Sequence, residues 1–362
     1  MRMHLPVLAM MITSCHGVET TSSDVELGAS ARERRQIATP ACDADPADCL
    51  YAPATYPLEP IIEVTLVDPD RIGGPREVPI AIRYSLAAPR PMPVVVWSHG
   101  GATGKTDPTL ALEHWATAAA EAGYLSIAIA HEWRADPSLF DLCAFFVMDG
   151  LGCSLFKHLN YDRPLDISLV IDEVVEMSGR APWRGRIDAD RIAVGGHSAG
   201  AGGTLMIDGA PRDINHTEVR LADSRPIAFL AFSPQAPGSE GFTEAGYGEI
   251  ARPTLIGTGR GDEDPPDTAD GRSSVFDLVQ PGDKYRIFIE DPEAIHTIYE
   301  LSTDNCAITT PLERCEEFRD WVKAAGLAFL DAYLRDDPDA QAWLASSDLD
   351  VASAGTAEWS TR

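Results

Sequence analysis

The chain predicts an α/β architecture, a mostly parallel sheet with helices on both faces. From about residue 61 onward, short apolar runs alternate with segments of helical spacing, as successive strand–helix units do. The run Arg191-Ile-Ala-Val-Gly-Gly-His-Ser-Ala-Gly-Ala-Gly-Gly203 passes from an apolar strand through a glycine turn into small, helix-compatible residues. The first runs, Ile61 to Val67 and Val78 to Tyr84, alternate apolar with polar, whereas later runs are apolar throughout. That difference separates a leading antiparallel pair with one wet face from parallel strands covered on both.

The elements follow in order. Met1-Arg2-Met3-His4 carries a positive charge, and the apolar run Leu5 to Ile12 is too short to span a bilayer, so the start reads as an export signal. It ends in Ile12-Thr-Ser-Cys15, which resembles a bacterial lipobox with Cys15 as the lipidated residue. Residues 16–60, rich in Ser, Thr, Ala, Pro and Asp without a sustained period, read as a tether. Val94 to Trp97 is a buried strand, Leu110 to Ala122 a helix stopped by Gly123, and Leu125 to Ala130 another strand. An irregular insertion, His131 to Arg163, precedes an amphipathic helix from Pro164 to Met177. After the Ile192–Val194 strand and its helix come strands at Pro226–Phe232, Pro253–Gly257 and Tyr285–Ile289, and a long closing helix, Cys315 to Leu334.

Six cysteines remain beyond Cys15, in three close pairs. Spacing alone does not choose among the pairings, but the clustering favours Cys42–Cys49, Cys143–Cys153 and Cys306–Cys315 in an oxidising compartment. No metal-site spacing is present, and no metal or organic cofactor is expected. The formal net charge of −27 repels phosphate backbones and anionic headgroups. Nucleic acid is therefore not expected as a partner, a membrane is expected only through the lipid anchor, and a neutral or cationic small-molecule substrate is favoured.

Within the glycine turn, Gly196-His-Ser198-Ala-Gly200 fits the G-x-S-x-G nucleophile elbow in its required strand–turn–helix setting. Ser198 is then held in a strained conformation at a helix start, where the backbone N–H of Ala199 has no intrahelical acceptor and can face a developing oxyanion. A serine needs a base and the base an orienting acid, in chain order nucleophile, acid, histidine. Of the two histidines beyond Ser198, His216 lies in a polar run and reads as surface. His296 follows the last strand and is the expected base. Asp262, directly after a glycine turn beyond the Pro253–Gly257 strand, is the expected acid, with Asp264 as the fallback. The loop after Trp97 offers the backbone N–H of Gly101 as the second oxyanion donor. His99 and His197 are expected to brace these loops.

These stretches, together with Pro93-Val-Val-Val-Trp-Ser-His-Gly-Gly101, Arg163-Pro-Leu-Asp-Ile-Ser168, Pro253-Thr-Leu-Ile-Gly-Thr-Gly259 and Pro281-Gly-Asp-Lys-Tyr285, carry a resemblance to the α/β-hydrolase superfamily. The chain looks most like exported esterases grouped with predicted dienelactone hydrolases and platelet-activating-factor acetylhydrolases. Dienelactone hydrolases proper use a cysteine nucleophile where this chain has Ser198. The resemblance implies an eight-stranded sheet and a Ser198–His296–Asp262 triad cleaving carboxylic esters through an acyl-enzyme, whereas the short spacing from Phe232 to Pro253 leaves no room for the large helical lid that many relatives insert there. The catalytic domain is expected over 61–346, with 347–362 as a tail. The 131–163 insertion, carrying Trp133, Phe140, Phe145, Phe146, Leu151 and Phe156, is expected to wall an apolar acyl pocket. The alternatives are a non-catalytic binding lipoprotein on the same scaffold, or a lipase or phospholipid-acetylhydrolase-like enzyme.

Overall fold

The computed structural model describes residue 42 and residues 46–101, 107–148, 153 and 161–362. The signal segment, lipidation at Cys15 and the tether up to residue 41 lie outside the described residues.

A nine-stranded sheet organises the chain. Its strands, in chain order, are β1 (Ile62–Asp68), β2 (Arg76–Arg83), β3 (Met92–Ser98), β4 (Leu125–Ile129), β5 (Ile187–His197), then β8 (Ala228–Phe232), β9 (Thr254–Gly259), β10 (Lys284–Ile289) and β11 (Ala357–Thr361). Between β5 and β8 a small separate hairpin is made by β6 (Arg212–Ile214) and β7 (Thr217–Val219). The order across the sheet is β1-β2-β4-β3-β5-β8-β9-β10-β11. In that order, β4, β3, β5, β8, β9 and β10 pair in parallel, while β1, β2 and β11 run antiparallel to their neighbours.

Burial follows the residue pattern. Every residue of β3, β4, β8 and β9 is buried, as apolar runs between two helical layers must be, whereas β1 is half exposed. Helices α1 (Glu113–Glu121) and a later, 23-residue helix (Leu312–Leu334) cover one face. There Trp97, Trp115 and Phe232 stack at ring centroid separations of 5.2 and 4.7 Å. The other face is covered by the Asp162–Gly179 helix and by the Ala199–Asp208 and Ala269–Leu278 helices.

Four expectations are corrected. The sheet has nine strands rather than eight, because residues 347–362 are not a tail. They form the helix Asp348–Ala352 and then β11, whose Ala357 and Trp359 are buried, with the Trp359 ring stacked on Tyr285 at 5.6 Å. Residues 46–60 are not a free tether either. Tyr51 donates to Asp331 at 2.6 Å, the Trp343 indole donates to the carbonyl of Cys49 at 2.8 Å, and Leu50 and Tyr51 cover the core. The irregular insertion contains a second helix, α2 (Asp136–Phe145), with Pro137 in its first turn, where a missing N–H costs no hydrogen bond. Finally, the strand expected only over Ile192–Val194 runs from Ile187 to His197.

All three disulfides form as the cysteine clustering favours: Cys42–Cys49, Cys143–Cys153 and Cys306–Cys315. The segment between β8 and β9 holds a single four-residue helix, Glu244–Tyr247. Among the described residues no helix is long and apolar enough to cross a membrane.

Candidate active site

The carboxyl ends of β3, β5, β9 and β10 bring the expected site residues to one rim of the sheet. Ser198 stands between β5 and α4 (Ala199–Asp208), the helix that follows α3 (Asp162–Gly179) along the chain. Its backbone has φ 55° and ψ −122°, a conformation that costs a serine of order 1–3 kcal/mol. The flanking glycines permit the turn. A Cβ on Gly196 would overlap the Gly200 carbonyl, and a Cβ on Gly200 would overlap the carbonyl of Ser98. The turn is tied to the sheet by the Ser198 N–H, which donates to the Phe232 carbonyl at 2.9 Å. Ala199, first in α4, has no carbonyl one turn back for its N–H.

His296 begins a 3-10 turn, His296–Glu300, just beyond β10. Its Nδ1 lies 2.6 Å from Asp262 Oδ1. Asp262 is buried, and its other oxygen accepts from the Thr258 hydroxyl at 2.8 Å. Burial raises this carboxyl, but the hydrogen bond and charge of His296 and the charge of Arg272 outweigh it and leave it below the usual carboxylate range. The buried Arg272 guanidinium stands 3.5 Å behind Asp262 and donates to the carbonyls of Ser233 and Pro234 at 2.6 and 2.8 Å. Asp264, the fallback acid, is exposed on a turn whose backbone pairs with Asp267. His216 is exposed at the β6–β7 turn.

The Ser198 turn and the His296 loop are joined through His197. Its Nε2 donates to the His296 carbonyl at 3.0 Å, and the two rings lie 4.5 Å apart. Burial and the adjacent His296 push the His197 imidazole well below its ordinary pKa, so it is a neutral brace. Among the described contacts no hydrogen bond joins the Ser198 hydroxyl to His296.

Gly100 and Gly101 follow β3, and a Cβ on Gly100 would come within 3.0 Å of the Ser198 Cβ. Arg163, in the first turn of α3 and buried, donates to the carbonyls of His99 and Gly101, the latter at 3.1 Å. One turn on, buried Asp166 accepts from Arg71, Arg76 and His131. Sequence reasoning missed Arg163, Asp166, His131 and Arg272. Arg163 and Asp166 stood in a stretch that carried resemblance without a role, and nothing along the chain ties His131 to them.

In the 131–163 insertion, Leu139, Leu142 and Phe146 turn inward against Tyr161, Ala201 and Leu205, while Phe140 and Phe145 are exposed. A cavity opens among Leu139, Leu142 and Tyr161 and the charged side chains of Arg76, Arg134 and Arg163, so its lining is mixed rather than apolar. It therefore borders the loop that Arg163 grips. Leu151 and Phe156 lie outside the described residues. No cluster of three metal-ligating side chains occurs among the described residues.

No protein-family model and no curated protein matches the chain. Among solved structures it is similar to a ferulic acid esterase from Streptomyces cinnamoneus, with a TM-score of 0.54 and 20% identity over 80% of this chain and 94% of that one. The architecture is the α/β-hydrolase fold.

Proposed function

We propose that the protein is a serine ester hydrolase, with Ser198 as nucleophile, His296 as base and Asp262 as the orienting acid. One observation carries this reading. A buried carboxylate holds the ring of His296 by its Nδ1, and that loop is bonded to the residue preceding a strained serine. A carboxylate on Nδ1 leaves Nε2 of the neutral ring as the proton acceptor, the tautomer a general base requires.

In this mechanism Ser198 Oγ bonds to the ester carbonyl carbon as its proton passes to His296 Nε2. The carbonyl electrons move onto oxygen, where the N–H groups of Ala199 and Gly101 receive them. The C–O bond to the alcohol breaks as His296 returns the proton to the leaving oxygen. Water then repeats the sequence on the acyl-enzyme, releasing the acid and Ser198.

An acidic surface favours neutral or cationic esters over polyanions. The similarity to a ferulic acid esterase makes aromatic acyl esters the first to assay. We retain the grouping with exported dienelactone-hydrolase-like and acetylhydrolase-like esterases as part of the proposal. Anchoring outside the cytoplasm through Cys15 belongs to it too, supported by the sequence at the start and the three disulfides. The test is a fluorophosphonate probe with p-nitrophenyl and methyl hydroxycinnamate esters. Labelling and turnover in the wild type, both lost in Ser198→Ala, are expected. Turnover that survives in Ser198→Ala overturns the assignment.

A further inference from the structure

After β3, the carbonyls of His99, Gly100 and Gly101 are all bonded into the protein. Arg163 takes those of His99 and Gly101, and the Gly100 carbonyl lies 2.6 Å from Nδ1 of His99. The proton in this last bond can be located from the far side of the ring. The main-chain N–H of His131, which can only donate, points at His99 Nε2 at 3.1 Å. Nε2 therefore presents its lone pair, and the single proton of the neutral ring is on Nδ1, donating to the Gly100 carbonyl. His131 is fixed in turn, with Nδ1 2.9 Å from Asp166 and Nε2 2.9 Å from the Ser98 hydroxyl.

The Gly100 carbonyl and the Gly101 N–H belong to one trans peptide unit, so they point in opposite directions. Fixing the carbonyl against the ring turns the N–H away from it. A peptide between two glycines is otherwise easily flipped, since neither residue has a Cβ to oppose rotation, and Gly101 already has φ 87°. A flipped unit would aim a carbonyl oxygen where the oxyanion forms. Arg163 restrains the carbonyls on either side but not this one.

We infer that His99, held in its Nδ1–H tautomer by the His131 amide, is the positioning residue that aims the Gly101 N–H at the reacting carbonyl. It touches neither substrate nor the bonds that change. The inference rests on the esterase reading above.

Three variants test it by steady-state kinetics on p-nitrophenyl acetate, with thermal melts to establish folding. His99→Phe keeps a ring without a donor and is expected to lower kcat on the order of a hundredfold with KM within about twofold. His99→Asn sets an amide N–H where Nδ1 was and is expected to recover to within about fivefold of wild type. His99→Gln sets its amide at the Nε2 end and is expected to remain as slow as the Phe variant. A Phe variant within about threefold of wild type, or an Asn variant no faster than the Gln variant, overturns the inference. If His99→Phe does not fold, the Asn–Gln comparison decides. A wild type that neither turns over ester nor takes a fluorophosphonate on Ser198 overturns the esterase reading and this inference together. An active wild type with an unimpaired Phe variant overturns the positioning role alone.

Discussion

Nδ1 of His296 stands 2.6 Å from Oδ1 of Asp262, with that carboxylate buried and backed by Arg272. The pair predicts both chemistry and acid stability. In Asp262→Asn the amide cannot hold the same tautomer, and kcat is expected to fall by about 10⁴. The folded protein holds this carboxyl below its ordinary value, so its contribution to stability is complete above the unfolded pKa and is lost as pH falls through the folded one. Urea denaturation of wild type and Asp262→Asn should therefore show a stability difference that shrinks in acid. A difference constant between about pH 5 and about pH 3, across the ordinary carboxylate range, refutes the linkage.

Ser198 at φ 55° predicts a trade between activity and stability. Ser198→Gly removes strain of about 1–3 kcal/mol, offset by about 0.4–1 kcal/mol of added unfolded-chain entropy. The variant should be inactive yet more stable by about 1 kcal/mol, a rise of about 1–2 °C in Tm. A melting temperature at or below that of the wild type contradicts the strain argument.

How legible this was depends on distance along the chain. Ser198 carried its own local signal, because glycines two residues either side and a strand before it are readable in one stretch. Asp262 and His296 followed from strand order, since parallel strands deliver their loops to one rim. The support behind them was not readable. Arg272 meets Asp262 from a helix whose sequence looks like any amphipathic surface, and Asp166 meets His131 across a 35-residue separation. The C-terminal strand was missed for a related reason. Only Ala357 and Trp359 of β11 are buried, too short an alternation to distinguish from a tail, and its partner β10 lies 74 residues earlier at the Arg286–Ser360 pair.

Gly200 predicts a coupled loss. A methyl there would overlap the Ser98 carbonyl and reach within 2.8 Å of that of His99, both backbone atoms of the strand end and loop opposite. Neither can swing aside as a side chain would, so Gly200→Ala should cost about 2–3 kcal/mol. It should also lower kcat in whatever fraction folds, because the loop carrying Gly101 must give way. Tm and kcat per active site, titrated with fluorophosphonate, check this. A variant with wild-type values of both would mean that α4 and the end of β3 can move apart without cost.

His131 predicts a second pH dependence in a different window. Burial and the Arg163 charge outweigh the Asp166 carboxylate and hold its imidazole at about 4. The unfolded chain, with an ordinary histidine pKa of about 6.5, therefore binds more protons than the folded one between these values. Stability must rise with pH across this window and be fully present above it. Subtracting the profile of His131→Gln, which cannot titrate, isolates that slope from other groups. The expected outcome is that the wild type loses its advantage over the variant as pH falls from about 6.5 to about 4. Parallel profiles would mean that the ring is already charged in the folded protein. Nδ1 and Nε2 would then both donate, and the Ser98 hydroxyl would have to accept where the neutral ring lets it donate.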